Sequence, residues 1–269
     1  MLEENLTCNS STTDNVEKTA PLQILFQDEH FIAINKPSGL LVHKSAVDKH
    51  ETEYAMQRVR DQIGQWVYPV HRLDKPTSGA LLFALSEQAA RDIQVVWQEN
   101  QVEKHYLAVV RGWMREAVHV DHALKEILDK FTDKKARRNK PPQDAITDFT
   151  PLSTLEIPVA NDRFPTSRYG LVLCKPQTGR KHQIRRHLKH LSHPIIGDPK
   201  YGKSQHNRIF QTEFNAHRLL LHACKLSMPH PYQQERTIDI TAPLDETLQT
   251  VVAQFANADE ILDRLLLCA

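Results

Sequence analysis

Hydrophobic residues recur along the chain in short runs that are separated by Pro, Gly and polar residues. The first two runs, 24–26 and 31–34, flank four polar residues and predict a β-hairpin. Pro37-Ser38-Gly39 then ends the second strand. Further apolar runs predict strands over residues 81–85, 104–111, 169–174, 219–226 and 237–240.

Helical periodicity occupies the intervals between several of these strands. Ser86 is placed to cap a helix that carries Ile93, Val96 and Trp97 on one face and closes at Asn100. The other predicted helices span residues 53–63, 183–191, 244–255 and 260–267. Strands and helices mix without a strict βαβ alternation, which favours an α+β fold over a doubly wound sheet.

The polar segments set the expected domain limits. Residues 1–20 are rich in Asn, Ser, Thr and Glu, and we expect them to form a disordered tail. Residues 21–269 then form a single domain. Within it, residues 125–165 are charged, Pro-rich and poorly periodic, which indicates an insertion or a long loop.

The overall composition adds little to this picture, but the distribution of charge and the spacing of the cysteines are informative. The formal net charge is only +1, yet basic residues cluster at 134–140 and 175–189, which indicates either a solvated surface or a local anion-binding face. The four cysteines are scattered and indicate neither a zinc site nor a disulfide framework. Without a signal-like or membrane-length apolar run, we expect a cytoplasmic protein that does not bind membranes.

Asp74 lies in the sequence HRLDKPTSG, residues 71–79, which leads into the predicted strand 81–85. Asp is common in such turns because its side chain hydrogen-bonds to the nearby backbone. Arg72 offers a second interpretation, since a neighbouring guanidinium stabilises an ionised carboxylate that can act as nucleophile or base. The turn alone leaves both roles open for Asp74.

A basic segment, KPQTGRKHQIRRHLKHLSHPIIGDPKYG, spans residues 175–202. Arg180 lies in the turn before the predicted helix. The helix carries basic side chains on two faces, with Arg185 and Lys189 on one and His182, Arg186 and His190 on the other. The histidines suggest a metal site, but their spacing lacks the His-x-x-x-His pattern with an acidic partner. Contact with phosphates suits this helix better.

Tyr106 shares one face of the predicted strand 104–111 with Ala108 and Val110. A core tyrosine satisfied by one hydrogen bond would fit this position. A ring that stacks on a nucleobase would fit it equally, as in RNA-modifying enzymes.

Four segments together resemble the RluA-type pseudouridine synthases. They are KPSG at 36–39 with Val42-His43, HRLDKPTSG at 71–79, KHYLAVVRG at 104–112, and TGRKHQIR at 178–185 with PIIGD at 194–198. They occur in the family's order and cover roughly residues 22–228. The resemblance implies a pseudouridine synthase fold, in which a mixed, mostly antiparallel sheet is flanked by helices and loops around a central RNA-binding cleft.

The resemblance also implies roles for individual residues. Asp74 corresponds to the catalytic aspartate, Arg185 to its basic partner, and Tyr106 to the ring that packs against the flipped base and helps to remove its C5 proton. The expected RNA-binding residues are Arg72, which would enter the vacated base stack, Arg180, His182 and Arg186. No second acidic residue stands out in the matched motifs. The reaction is a redox-neutral isomerisation, so we expect no metal or organic cofactor.

Further sequence matches, including RFPTSRYGLV and HLKHLSHPIIGDPKYG, resemble a subgroup that isomerises uridine 65 in the T-stem of certain tRNAs. That subgroup lacks an N-terminal S4-type RNA-binding domain, and we expect none here. The predicted partner is therefore tRNA, bound by a monomer. Two alternatives stay open: action on 23S ribosomal RNA, and a noncatalytic module that binds or folds RNA.

Overall fold

The computed structural model describes residues 20–44, 52–127, 140–161 and 164–267, which contain ten strands and six helices. The strands are β1 (Ile24–Gln27), β2 (Phe31–Lys36), β3 (Tyr68–Pro69), β4 (Ser78–Ala84), β5 (Glu103–Arg111), β6 (Val118–Asp121), β7 (Ile146–Ile157), β8 (Ser167–Pro176), β9 (Leu221–Pro229) and β10 (Thr237–Thr241). The helices are α1 (Ala55–Ile63), α2 (Glu87–Gln98), α3 (Gln183–His190), α4 (Ser204–Phe214), α5 (Glu246–Val252) and α6 (Ala258–Leu267).

All of these strands belong to one mixed sheet. Its main path runs β1-β2-β4-β9-β5-β8-β7-β6, while β3 and β10 pair with β4 and β9 off that path. The described strand pairs are antiparallel except β4 and β9, which run parallel where Ser78 faces His222 and Gly79 faces Ala223. The predicted α+β class with a mostly antiparallel sheet is confirmed. None of the described helices is long and apolar enough to cross a lipid bilayer.

Helices cover both faces of the sheet because its central strands bury alternate side chains on opposite sides. In β2, Phe31 packs in the cluster with α2, whereas Ile32 packs in the cluster with α1. In β5, Leu107 belongs to the cluster with α4, α5 and α6, whereas Ala108 belongs to that with α3. Tyr106 packs against both the α1 and the α3 clusters, which places these two helices on the same side.

Most of the predicted elements are confirmed, with ends that shift by up to three residues. The hairpin is β1 and β2, which are antiparallel. The predicted cap of α2 is also present, because the Ser86 hydroxyl accepts a hydrogen bond from the Ala89 backbone N–H at 3.1 Å. Residues 1–19 of the expected tail and residues 128–139 and 162–163 of the expected loop lie outside the described residues.

The prediction of an insertion or a long loop over 125–165 is wrong where it covers residues 146–157. Strand β7 occupies residues 146–157 and pairs with both β6 and β8. Pro151 and a register shift between Pro151 and Ser153 interrupt the alternation of buried and exposed positions. A β-bulge of this kind hides a strand from a period-two pattern.

The sequence prediction also missed the short strands β3 and β6 and the helix α4. In α4 only Ile209 and Phe210 are buried, so the helix has little apolar periodicity. Its position is set by packing: Phe210 belongs to the cluster that also contains Tyr169 of β8 and Leu248 of α5. Tertiary contacts therefore stabilise a segment whose own pattern is weak.

The parallel junction of β4 and β9 depends on Gly79. Its φ angle is +111°, and a Cβ atom at this position would collide with the backbone carbonyl of Ala223. The absence of a side chain thus permits both the backbone conformation and the close approach. Because Gly79 ends the turn that carries Asp74, this junction fixes one side of that turn.

We expect Gly79→Ala to lower the free energy of unfolding by about 3 kcal/mol or more, since strain and a backbone clash add. Gly64→Ala is the matched control: Gly64 also has a positive φ, +66°, but nothing lies within 4 Å of a Cβ atom built there. Gly64→Ala should lower the free energy of unfolding by about 1 kcal/mol, because only the backbone conformation is unfavourable. Urea unfolding measures both variants, and equal losses would show that the close approach is not the constraint.

Candidate active site

The turn that carries Asp74 is held by hydrogen bonds from a second turn. The Thr77 backbone N–H donates to the Asp74 carbonyl at 3.0 Å and closes the first turn. The Gly39 N–H donates to the Lys75 carbonyl at 2.9 Å, and the Ser38 hydroxyl donates to the Pro76 carbonyl at 2.8 Å. The two turns therefore act as one rigid unit, and the KPSG motif at 36–39 serves to position the HRLDKPTSG motif.

Lys36 lies fully buried beneath this unit. Its Nζ atom donates hydrogen bonds to three backbone carbonyls, those of Pro37 (2.9 Å), Leu40 (2.8 Å) and Lys75 (3.1 Å). Burial lowers the pKa of Lys36 to about 7, the Arg218 cation adds to this effect, and Asp74 opposes it. Three acceptors need three N–H donors, so the contacts fit the ammonium form.

The other end of the turn is fixed by a buried polar network around Ser78. Its hydroxyl lies 2.7 Å from His222 Nδ1 and accepts a hydrogen bond from Arg218 Nη2 at 2.6 Å. His222 Nε2 donates to the Ala242 carbonyl at 3.1 Å, so Nδ1 is the acceptor for Ser78. Burial lowers the pKa of His222 to about 4, so the imidazole is neutral at pH 7.

Arg185 joins the Asp74 turn to α3. Its Nη1 atom donates to Asp74 Oδ2 at 2.9 Å, while Nε and Nη2 form a bidentate pair with Asp198 at 2.7 and 2.9 Å. The Arg185 side chain is 5% exposed and Asp198 is fully buried. Burial alone would lower the pKa of Arg185, but the two carboxylates outweigh it and raise that pKa. The predicted Asp74–Arg185 pair is thus present in this structure.

Asp198 is the functional residue that the sequence interpretation missed. It also accepts backbone hydrogen bonds from Lys200 and Tyr201 at 2.9 and 3.0 Å. Burial would raise the pKa of Asp198, but the bonds from Arg185 and the backbone lower it overall. The sequence signal is an acid two residues after the apolar Ile195-Ile196 pair, where an unpaired carboxylate would be costly to bury.

His182 precedes α3 with a left-handed φ of 57°, so it does not lie on the helix as predicted. Its Nδ1 atom lies 3.0 Å from the Tyr201 hydroxyl, and its Nε2 atom lies 3.9 Å from Asp74 Oδ2, too far for a hydrogen bond. Burial lowers the pKa of His182 to about 4, although Asp74 opposes the shift. At neutral pH this histidine is therefore an uncharged ring beside Asp74.

Tyr106 lies on β5 in the cavity wall. Burial raises the pKa of its hydroxyl well above the usual value, and the negative charge of Asp74 adds to the shift. The phenol is therefore protonated at neutral pH and can donate a hydrogen bond. Tyr106 also packs against both neighbouring core clusters, as its structural interpretation requires, while stacking on a base stays a prediction.

These groups surround a cavity of about 670 Å³, and six of the seven predicted site residues line it: Arg72, Asp74, Tyr106, Arg180, His182 and Arg185. The seventh, Arg186, is half-buried and lies outside this lining. Arg72 is exposed. Arg180 is exposed too, but its Nε atom donates to the Asp144 carbonyl at 2.9 Å.

The chemistry available to the cavity follows from its charges. Asp74 is the sole carboxylate among the described residues that line it. A single ionised carboxylate beside a neutral phenol suits stabilisation of a developing positive charge better than acid–base hydrolysis, which needs two carboxyl groups. Within the described residues, no group of three His, Cys, Asp or Glu side chains could hold a metal ion.

Comparison with known sequences finds similarity over most of the chain. The RNA pseudouridylate synthase family model matches residues 30–190, which include Asp74, Tyr106 and Arg185. A protein named tRNA pseudouridine synthase C from Vibrio parahaemolyticus is 49% identical over 241 residues, covering 90% of this chain and 98% of its own. One of the same name from Vibrio cholerae is 50% identical with the same coverage.

Solved structures agree with this match. Human RNA pseudouridylate synthase domain containing 1 superposes with a TM-score of 0.66 at 25% identity, covering 91% of this chain and 94% of its own. Human RNA pseudouridylate synthase domain containing 4 gives 0.64 at 25% identity, with 86% and 92% covered. The fold, the Asp74–Arg185 pair and the sequence matches agree, and the chain belongs to the RNA pseudouridylate synthase family.

Proposed function

We propose that this protein is a tRNA pseudouridine synthase that isomerises uridine 65 in the T-stem, with Asp74 as its catalytic carboxylate. The observation that carries the proposal is the Asp74–Arg185 pair at 2.9 Å in a cavity, in a chain about half identical to proteins named tRNA pseudouridine synthase C. The same names favour tRNA over ribosomal RNA as the substrate.

The reaction breaks the N1–C1′ bond of uridine, turns the base, and joins C5 to C1′. C5 then loses its proton and N1 gains one, so the product is an isomer of the substrate. A uridine in a stem must first leave the base stack, which costs a few kcal/mol. Arg72 is exposed at the cavity and is suited to fill the vacated position, since its planar guanidinium stacks on bases. We therefore assign Arg72 to base flipping, and Arg180 and Arg186 to contacts with neighbouring phosphates.

Asp74 faces the sugar in this proposal. Positive charge develops at C1′ as the glycosidic bond breaks, and a carboxylate can stabilise it, bond to C1′, or take the 2′ proton. Among the described residues, Arg185 and His182 approach only Oδ2 of Asp74, so Oδ1 is the oxygen available to the substrate. Arg185 thereby orients the carboxylate without occupying both of its oxygens.

The site favours rejoining of the base over hydrolysis. Hydrolysis would need a second carboxyl group to activate water. Asp198 cannot serve, because it is fully buried and both of its oxygens bind Arg185. We assign the Tyr106 ring to packing against the freed uracil, and its hydroxyl, which is protonated in the free protein, to hydrogen-bond donation. Its help in removing the C5 proton stays a prediction.

Residues 21–269 act as a single catalytic domain, and the protein works as a monomer on tRNA in the cytoplasm. No cofactor is needed, because the isomerisation is redox-neutral and the charges it develops can be met by Asp74 and Arg185.

We expect Asp74→Asn to lower pseudouridine formation in unmodified tRNA by roughly 10³-fold or more, since the neutral amide cannot stabilise or trap the charge at C1′. Release of tritium from C5-labelled uridine measures the rate. Binding of tRNA should stay within a few-fold of wild type. Asp239→Asn, which alters a carboxylate that lies 3.9 Å from Lys225, is the matched control and should remain active. A fully active Asp74→Asn protein would exclude Asp74 as the catalytic group.

We expect cells without this protein to lose pseudouridine at position 65 of their tRNAs. Mapping of pseudouridine in total RNA measures this, with wild-type protein and Asp74→Asn returned in parallel. Restoration by the wild type alone ties the modification to the active site. A new gap in 23S ribosomal RNA with tRNA unchanged would overturn the tRNA assignment.

We expect Asp198→Asn to lower the free energy of unfolding by about 3 kcal/mol at pH 7, because it leaves Arg185 buried with a weaker partner. The lowered pKa of Asp198 stabilises the fold above the unfolded value near 3.8, and that stabilisation is lost as pH falls below it. The difference from wild type should therefore shrink below about pH 4. Urea unfolding between pH 7 and 3 measures this.

Asp61→Asn is the control for that experiment, because it removes an exposed ion pair with Arg60 at 2.9 Å. Its cost should be below about 1 kcal/mol at pH 7. A loss in Asp198→Asn no larger than this control would contradict the role of Asp198 as the anchor of Arg185.

A further inference from the structure

The cavity has a second wall that the proposed reaction does not use. It is formed by the C-terminal end of α2 and the first residues of β5, and its lining includes His71, Trp97, Asn100 and Lys104. The cavity volume of about 670 Å³ lies within the range of sites that enclose whole small molecules, and it exceeds what one pyrimidine base requires. The second wall therefore borders space for a further group.

Trp97 and His71 form an aromatic platform in this wall. Their ring centroids are 5.2 Å apart with an interplanar angle of 21°, so the rings are stacked. The Leu82 backbone N–H donates to His71 Nε2 at 3.1 Å, which fixes the ring and leaves its proton on Nδ1. Burial lowers the pKa of His71 to about 3, and the nearby Lys104 charge adds to this, so the platform is uncharged.

Lys104 supplies a cation beside this platform. It lies two residues before Tyr106 on β5, and both side chains line the cavity. The side chain is half-buried, and burial lowers its pKa. Among the described residues no carboxylate forms an ion pair with it. A partly desolvated ammonium without a counter-charge favours binding of an anion.

We propose that this wall is a nucleotide subsite, in which Trp97 stacks on the base and Lys104 binds a phosphate of a nucleotide that flanks the target uridine. The inference rests on the proposed function, because it takes the ligand to be the substrate RNA. An aromatic surface beside a lysine is the combination that binds unstacked nucleotides in many proteins. The stacking contact tolerates any base, and the phosphate contact sets the position of the strand.

The subsite has a consequence for the reaction. The flanking phosphate is covalently linked to the flipped nucleotide, so its capture by Lys104 places the uridine sugar relative to Asp74. The β5 strand carries both Lys104 and Tyr106, which gives the phosphate contact and the base contact one rigid support. Lys104 and Trp97 are thus positioning residues, and they do not take part in bond breaking.

The first experiment measures binding of a T-arm hairpin RNA at a series of salt concentrations. Lys104→Gln should weaken binding about tenfold and reduce the salt slope by about one. Trp97→Leu should weaken binding about tenfold without changing the slope, and Trp97→Phe should retain most of the affinity. Lys225→Gln, which changes a lysine that lies 3.9 Å from Asp239, should leave affinity and slope unchanged.

A thermodynamic cycle identifies the phosphate. Neutral methylphosphonate replaces each phosphate next to the target uridine in turn, and each RNA is bound to wild type and to Lys104→Gln. At one position the substitution should weaken wild type about tenfold and leave Lys104→Gln unaffected. Additive losses at every position, or a salt slope that Lys104→Gln does not change, would overturn the subsite.

The two proposals fail in different ways. Pseudouridine formation by the wild-type protein in the same hairpin tests the proposed function, while the cycle is read from binding alone. Additive losses with normal pseudouridine formation would overturn only the subsite. Coupling between Lys104 and one phosphate without any pseudouridine formation would support the subsite and overturn the proposed function.

Discussion

The buried guanidinium of Arg185 is the group on which the candidate active site depends, because two carboxylates share it. Burying a charge is costly unless its partners and hydrogen bonds are complete, and Asp198 supplies a bidentate pair on the inner side. The remaining Nη1 atom reaches Asp74. One positive and two negative charges leave a net charge of −1. Asp198 is fully buried and Asp74 is 22% exposed, so that charge faces the cavity.

The same pairing sets a strict demand on backbone position. Asp74 and Arg185 are 111 residues apart in the sequence, and a hydrogen bond tolerates only a few tenths of an ångström. The turn that carries Asp74 is accordingly held from below by Lys36 and at its end by Gly79, where β4 meets β9 in parallel. The family motifs around these residues are therefore structural supports as much as chemical groups.

The basic residues differ in whether they have an ion-pair partner, and the net charge does not show this difference. The chain carries only +1 overall, yet individual cations differ in whether they already have a partner. Arg185 is committed to two carboxylates, and Lys140 pairs with Glu126 at 3.0 Å. Within the described part of the chain, Arg72 and Lys104 have no such ion pair, and both line the cavity. Affinity for RNA phosphates depends on cations of this second kind.

The sequence by itself determined the elements with strong periodicity and the family to which the chain belongs. The hairpin at 24–34, the cap at Ser86 and the four ordered motifs are local signals, so they could be predicted from neighbouring residues. Only the family resemblance predicts the pairing of Asp74 with Arg185, because no local pattern links a turn to a helix so distant in the chain.

Tertiary structure alone decided the remaining features. Strand β7 breaks its alternation at Pro151 and is stabilised by two neighbours, and α4 buries only two residues. The role of Asp198 depends on which side chains meet across the sheet, and so does the lack of an ion pair at Lys104 among the described residues. The type of a residue determines which chemistry its side chain can perform. Burial and neighbouring groups determine whether that side chain is charged, hydrogen-bonded or free to bind a ligand. Burial and neighbours arise only from the packing of segments that are distant in the sequence.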